Sequence, residues 1–115
     1  MLVKSAFFLF LHAPAEELFF RGFLQSFLVK LSGTVSFGLL AAAAVFGAYH
    51  RLFGHPWSRA PLYFAFGLLF GLLYLDGKLS LAGLGIAHGM GDMGLYSLGP
   101  YLLALRRRSC DCATS

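Results

Sequence analysis

Apolar side chains fill this chain in long stretches, roughly residues 14–31, 34–53, 61–75 and 79–105, separated by short polar or glycine-bearing segments. These stretches are apolar enough for helices set in a membrane, although the first also carries Glu16, Glu17 and Arg21. Lys30 and then Ser32-Gly33 close the first stretch, a cationic last turn followed by a breaker. The second and third are parted by Gly54-His55-Pro56-Trp57-Ser58-Arg59, with turn residues and a Trp suited to a membrane interface. Asp76-Gly77-Lys78 turns the chain into the fourth, where Gly94, Gly99 and Pro100 predict a break before residues 101–105 complete it. Residues 61–75 are uniformly apolar, carry Gly67 and Gly71 in small-xxx-small spacing, and read as scaffold. Residues 1–11 read as the end of an earlier helix, and Pro14 as the start of the next, where its missing N–H is harmless. That places His12 at an interface. Ala13-Pro14-Ala15 has the small-x-small form of a signal-peptidase site, but the apolar run before it is at the short limit for a signal peptide.

Composition sharpens this picture. The chain is 115 residues long, 58% hydrophobic and 12% charged, with a mean hydropathy of +0.73, whereas soluble domains average about 25% charged residues. A span takes about 20 residues. The expected fold is therefore all-α: a polytopic transmembrane helical bundle of about four spans plus a partial N-terminal segment. It would form one membrane-embedded domain over residues 1–115, with a motif-bearing core at 14–105 and a polar tail at 106–115. The net charge of +4 lies mostly in Arg59 and the Arg106-Arg107-Arg108 run, a pattern of topology control that gives a nucleic-acid role no support. Arg51, Arg59 and the three tail arginines share one predicted side, and Lys30, Asp76 and Lys78 the other, so the arginine-rich side should be cytoplasmic. Cys110 and Cys112 are too few for a structural metal site and read as incidental. The last four residues, from Cys112, match a prenylation signal only formally, because Thr114 is not aliphatic.

Against this apolar background a few polar residues stand out. Glu17 and Arg21 are four apart on a helix and can pair, while Glu16 is rotated by about 100° and stays available for chemistry. Ionisable groups at membrane depth cost roughly 2.5 to 3.5 kcal/mol each, so three together point to a protein-lined, partly wet cavity. His50 lies near the end of the second stretch, with Phe46 one turn away on its face. His88 and Asp92 share a face among Gly85, Gly89 and Gly91. Counted along predicted helices, Glu16 and Glu17 lie in a first turn on the cytoplasmic side, His50 near the cytoplasmic end of its helix and His88 and Asp92 near the midplane, so all five can line one cavity opening to the cytoplasm. Glu16 with His50 can activate a water, and His88 can donate to a developing oxyanion. Asp92 would have to be protonated for that second task, or act by fixing the His88 tautomer. His55, in a loop, is expected to be solvated.

Glu16-Glu17-x-x-x-Arg21, Phe46-x-x-x-His50 and His88-x-x-x-Asp92, in that order, resemble the three motifs of the CPBP family of intramembrane proteases. That family includes the type II CAAX prenyl endopeptidases and the bacterial Abi proteins. The resemblance implies a metal-independent glutamate endopeptidase without cofactors, acting on a membrane-associated or lipidated peptide in the bilayer. Glu16 would be its general base, His50 would hold the water, Glu17 and Arg21 would shape the site, and His88 with residue 92 would form the oxyanion hole. The prenyl-processing branch typically carries Asn where Asp92 stands. Family members usually have several helices before the first motif, and residues 1–13 precede it here, so a fragment or a reduced form is one expectation.

The residues leave other functions open. His88 and Asp92 have ligand-like spacing that Glu16 and His50 could complete around a metal, as in a metallopeptidase. Buried Glu and His also serve proton-linked transport, although no repeated halves are visible. A non-catalytic family member, such as a bacteriocin-immunity or partner-binding module, or one working as an oligomer, would keep the same cluster without the chemistry.

Overall fold

The computed structural model describes residues 2–104 and 106, and they are helical with short turns between helices. Arg107, Arg108, Cys110, Asp111 and Cys112, with the rest of the tail from residue 107 on, lie outside the described residues. Helix α1 runs continuously over residues 2–32 and contains two π-helical stretches, Phe8–His12 and Leu18–Gln25. Gly33, at φ 71°, ends it, donating its N–H to Val29 O at 2.9 Å in the left-handed conformation that glycine adopts without strain. Helix α2 is Val35–Leu52, helix α3 is Ala60–Leu75 after the 3-10 turn Trp57–Arg59, and helix α4 is Leu81–Met93, with the Ser80 hydroxyl accepting from Gly83 N–H at its start. The chain stays helical beyond α4, through the π-helical turn Gly94–Leu98 and on to residue 104.

Two expectations are corrected. Pro14 starts no helix: it lies inside α1, so Glu16 and Glu17 sit about 20 Å along a long helix and not in a first turn. The π-helical turn explains how. Pro14 has no N–H for Phe10 O, and its ring crowds that carbonyl, while the widened turn just before it is closed from Ala13 N–H to Phe8 O, five residues back. The break predicted at Gly94 to Pro100 is likewise absorbed as a π-helical turn, with no interruption of the helix.

The polarity of the fold is inverted. Glu16, Glu17, Arg21 and Gln25 are buried, whereas Val3, Leu52, Leu95 and many other large apolar side chains face outward. A water-soluble domain seldom leaves so much contiguous apolar surface uncovered. The segments Val35–Leu52 and Trp57–Leu75 are each long and apolar enough to cross a membrane. With no hydrophobic effect to drive helices together in lipid, packing relies on close backbone approach. A Cβ at Gly67 would lie 3.0 Å from Ala43 Cα, so α2 and α3 touch there backbone to backbone. A Cβ at Gly85 would lie 2.8 Å from Pro14 Cα, and one at Gly89 2.8 Å from Leu9 Cα, which presses α4 onto the π-helical turn of α1.

Gly67→Val is expected to lower stability by about 1–3 kcal/mol through overpacking at backbone that cannot yield. Gly94→Ala, where an added Cβ meets nothing within 4 Å, should be neutral or stabilising by up to about 1 kcal/mol. Unfolding of the two variants in mixed micelles checks the contrast.

Candidate active site

One face of α1 carries Glu17, Arg21 and Gln25 at successive four-residue steps, all buried. Each reaches a different part of the fold. Arg21 Nε lies 3.2 Å from Glu17 Oε2, the pair expected from their spacing. Arg21 Nη2 also donates to Gly67 O at 3.3 Å, and its guanidinium lies 4.7 Å from the Phe46 ring centroid. Gln25 Nε2 donates to Gly71 O at 3.2 Å. Gly71, expected to be scaffold, thus has a second duty, since a Cβ there would lie 2.7 Å from the Gln25 amide oxygen. The other Glu17 oxygen, Oε1, lies 2.8 Å from His88 Nδ1. A carboxylate only accepts, so Nδ1 carries the proton of this bond and His88 Nε2 points away from Glu17.

His88 Nε2 faces two further acids, 3.7 Å from Glu16 Oε2 and 3.6 Å from Asp92 Oδ2. His12 faces the same two, with Nε2 3.5 Å from Glu16 Oε1 and Nδ1 3.7 Å from Asp92 Oδ2. His12 is therefore no interface residue but part of the cluster. The signal for it was available, because His12 stands four residues before Glu16, the same spacing that pairs Glu17 with Arg21. Three carboxylates and one permanent cation, Arg21, share this small volume, so the histidines and shared protons must supply the remaining balance.

His50 sits apart from the acids. Its Nδ1–H donates to Phe46 O at 2.9 Å, which leaves Nε2 as an acceptor when the ring is neutral. Among the described residues it forms no ion pair or hydrogen bond with Glu16, and the two residues border different cavities, so the expected direct partnership is not seen. Tyr63 stacks on its ring at 3.9 Å between centroids and 13° between planes. The Tyr63 hydroxyl lies 3.0 Å from His55 Nδ1 and 3.2 Å from the Tyr96 hydroxyl. His55 is thus hydrogen-bonded and half-buried, not simply solvated, and α3 supplies a site residue where scaffold alone was expected. Nothing in the local sequence around Tyr63 distinguishes it.

Two cavities flank the cluster. One, of about 100 Å³, is lined by His50, Tyr63, His88, Asp92 and Tyr96 among aromatic and aliphatic side chains. The other, of about 460 Å³, is lined by His12, Glu16, Tyr49 and neighbouring apolar groups. His88 stands between them, on the wall of the first and against the carboxylate of the second. Among the described residues no group of three or more His, Cys, Asp or Glu is arranged to hold a metal ion.

The family model described as type II CAAX prenyl endopeptidase Rce1-like matches residues 1–94, a span that includes the whole cluster. The chain belongs to this family. The Rce1-like family is one of membrane-embedded proteases, which agrees with the inverted polarity of the fold and its two membrane-length helices. No curated protein and no solved structure matches the chain.

Arg21→Met is expected to destabilise the protein by about 3–5 kcal/mol, because Glu17 would stay buried with its main counter-charge removed. The double variant Glu17→Gln/Arg21→Met should recover part of that loss. Denaturant unfolding of both in the same micelles measures the difference.

Proposed function

We propose that the chain is an intramembrane endopeptidase that hydrolyses a peptide bond of a membrane-associated, prenylated substrate. The observation that carries this reading is the meeting of Glu16, His88 and Asp92 beside a small, mostly apolar cavity, within a chain of the Rce1-like family. Its four long helices would each cross the bilayer. At about 1.5 Å per residue, α1 is about 45 Å long and α4 with its extension about 35 Å, against a hydrocarbon core of about 30 Å. Arg51, Arg59 and the tail arginines would face the cytoplasm, where prenylated chain ends are found.

In this mechanism the scissile carbonyl enters the cavity between His50 and His88. Glu16 takes the proton of a water held at His50 Nε2 as the oxygen attacks the carbonyl carbon. With His88 doubly protonated, its Nε2–H is free to donate to the resulting oxyanion, while Glu17 and Arg21 fix the ring. Collapse of the tetrahedral intermediate breaks the C–N bond, and Glu16 returns the proton to the leaving amine. Asp92 offsets the charge on His88. Every step uses side chains of this chain, and no metal is assigned a part.

The test is cleavage of a prenylated reporter peptide by the purified protein in lipid. Glu16→Gln should lower kcat by about 100-fold or more without loss of fold, and a chelator should leave the wild-type rate unchanged. Full activity of the folded Glu16→Gln variant would sink the reading, and loss of activity on chelation would move it to a metallopeptidase.

A further inference from the structure

His12 has no part in the mechanism above, yet no imidazole lies nearer Glu16. Four side chains close a ring in which acids and imidazoles alternate: Glu16 Oε1 to His12 Nε2 at 3.5 Å, His12 Nδ1 to Asp92 Oδ2 at 3.7 Å, Asp92 Oδ2 to His88 Nε2 at 3.6 Å, and His88 Nε2 to Glu16 Oε2 at 3.7 Å. Three features of the fold build this ring. The α-helical turn Ala13–Glu17 puts His12 and Glu16, four residues apart, on one face of α1. Phe7 and Phe8 hold the imidazole edge-on or tilted, at 5.7 and 5.5 Å between ring centroids. Gly85 and Gly89 let α4 approach α1 closely enough for Asp92 to meet Nδ1. His12 Nδ1 and Glu16 Oε2 are buried without a hydrogen-bond partner among the described residues. Groups in that position need a shared proton or a bridging water.

We propose that His12 is a positioning residue, paired with Asp92, that holds Glu16 in its working geometry and neutralises the charge that Asp92 brings to the site. An imidazole between two carboxylates satisfies both only when it carries two protons, or when one of the acids carries the missing one. His12 therefore makes a second carboxylate tolerable beside Glu16. Without it, Asp92 stands as an unpaired charge next to a general base, repelling both the oxyanion and Glu16 itself. Replacing Asp92 by its neutral isostere removes that need. The two positions are therefore predicted to be coupled, with loss of His12 harmful beside Asp92 and largely harmless once residue 92 is Asn.

This inference rests on the reading of Glu16 as the base, so the experiment has two independent readouts. The full chain is prepared as wild type, His12→Leu, Asp92→Asn and the double variant, with His12→Gln run in parallel because it keeps side-chain volume and one donor. Each protein is unfolded thermally in the same micelles and assayed with the prenylated reporter peptide. His12→Leu is expected to lower the unfolding midpoint by about 5 °C and kcat by about 10-fold or more, with KM nearly unchanged. The double variant should regain most of both losses. Losses that simply add in the double variant would overturn the pairing, as would a fall confined to KM. A wild type that cleaves nothing overturns the assignment of Glu16 as base, and the thermal cycle then still decides whether His12 and Asp92 are coupled.

Discussion

Glu17 is the group on which the arrangement depends. It is fully buried and holds the guanidinium of Arg21 on its own helix with one oxygen and the Nδ1–H of His88 on α4 with the other. A carboxylate so far from water is stable only while both sides are satisfied. That requirement fixes the distance and rotation of α4 relative to α1, and with them the direction of His88 Nε2. Arg21 extends the constraint to α3 through Gly67 O, and Gln25 repeats it one turn further on at Gly71 O. Three helices are thus registered by polar bonds that have no alternative partner in an apolar surrounding.

Such bonds need helices close enough to make them, and glycine provides the approach. Gly67 sets α3 against Ala43 of α2, Gly71 admits Gln25 of α1 to the α3 backbone, and Gly85 and Gly89 set α4 against Pro14 and Leu9. Van der Waals contact then replaces the hydrophobic effect as the force between helices, and the large side chains are left to face lipid. The buried cluster and the exposed apolar surface are two aspects of one solution.

Much of this was legible in the chain. Uniformly apolar stretches with glycine and polar turns gave the helices and nearly the observed ends of 35–52 and 60–75. Four-residue spacing gave the Glu17 and Arg21 pair, and the ordered motifs gave the family. Other features depend on forces that a local pattern does not encode. Pro14 looks like a helix start because its missing N–H is read against an α-helical turn, and only a π-helical turn upstream lets the helix pass through it. Tyr63 and His55 enter through stacking and hydrogen bonds between α2, α3 and the loop, contacts that exist only after the helices pack. His50 stands apart from Glu16 because its Nδ1 is held by its own helix at Phe46 O and its ring by Tyr63, neither of which the spacing of motifs reveals.

Adjacent residues with the same side chain show why the site combines stability with reactivity. Glu16 and Glu17 differ by one step of helical rotation. Glu17 turns toward Arg21 and a short bond to His88, and its charge is fixed in place. Glu16 turns toward imidazole nitrogens at 3.5 and 3.7 Å, beyond direct hydrogen-bond distance, and borders a cavity. A carboxylate with imidazoles near it and a cavity beside it keeps lone pairs free for a water and its proton, whereas one held by an ion pair and a short hydrogen bond has fewer to offer. One step along the chain thus separates the glutamate that joins α1 to α4 from the glutamate that borders a cavity, and the proposed role of Glu16 rests on that difference.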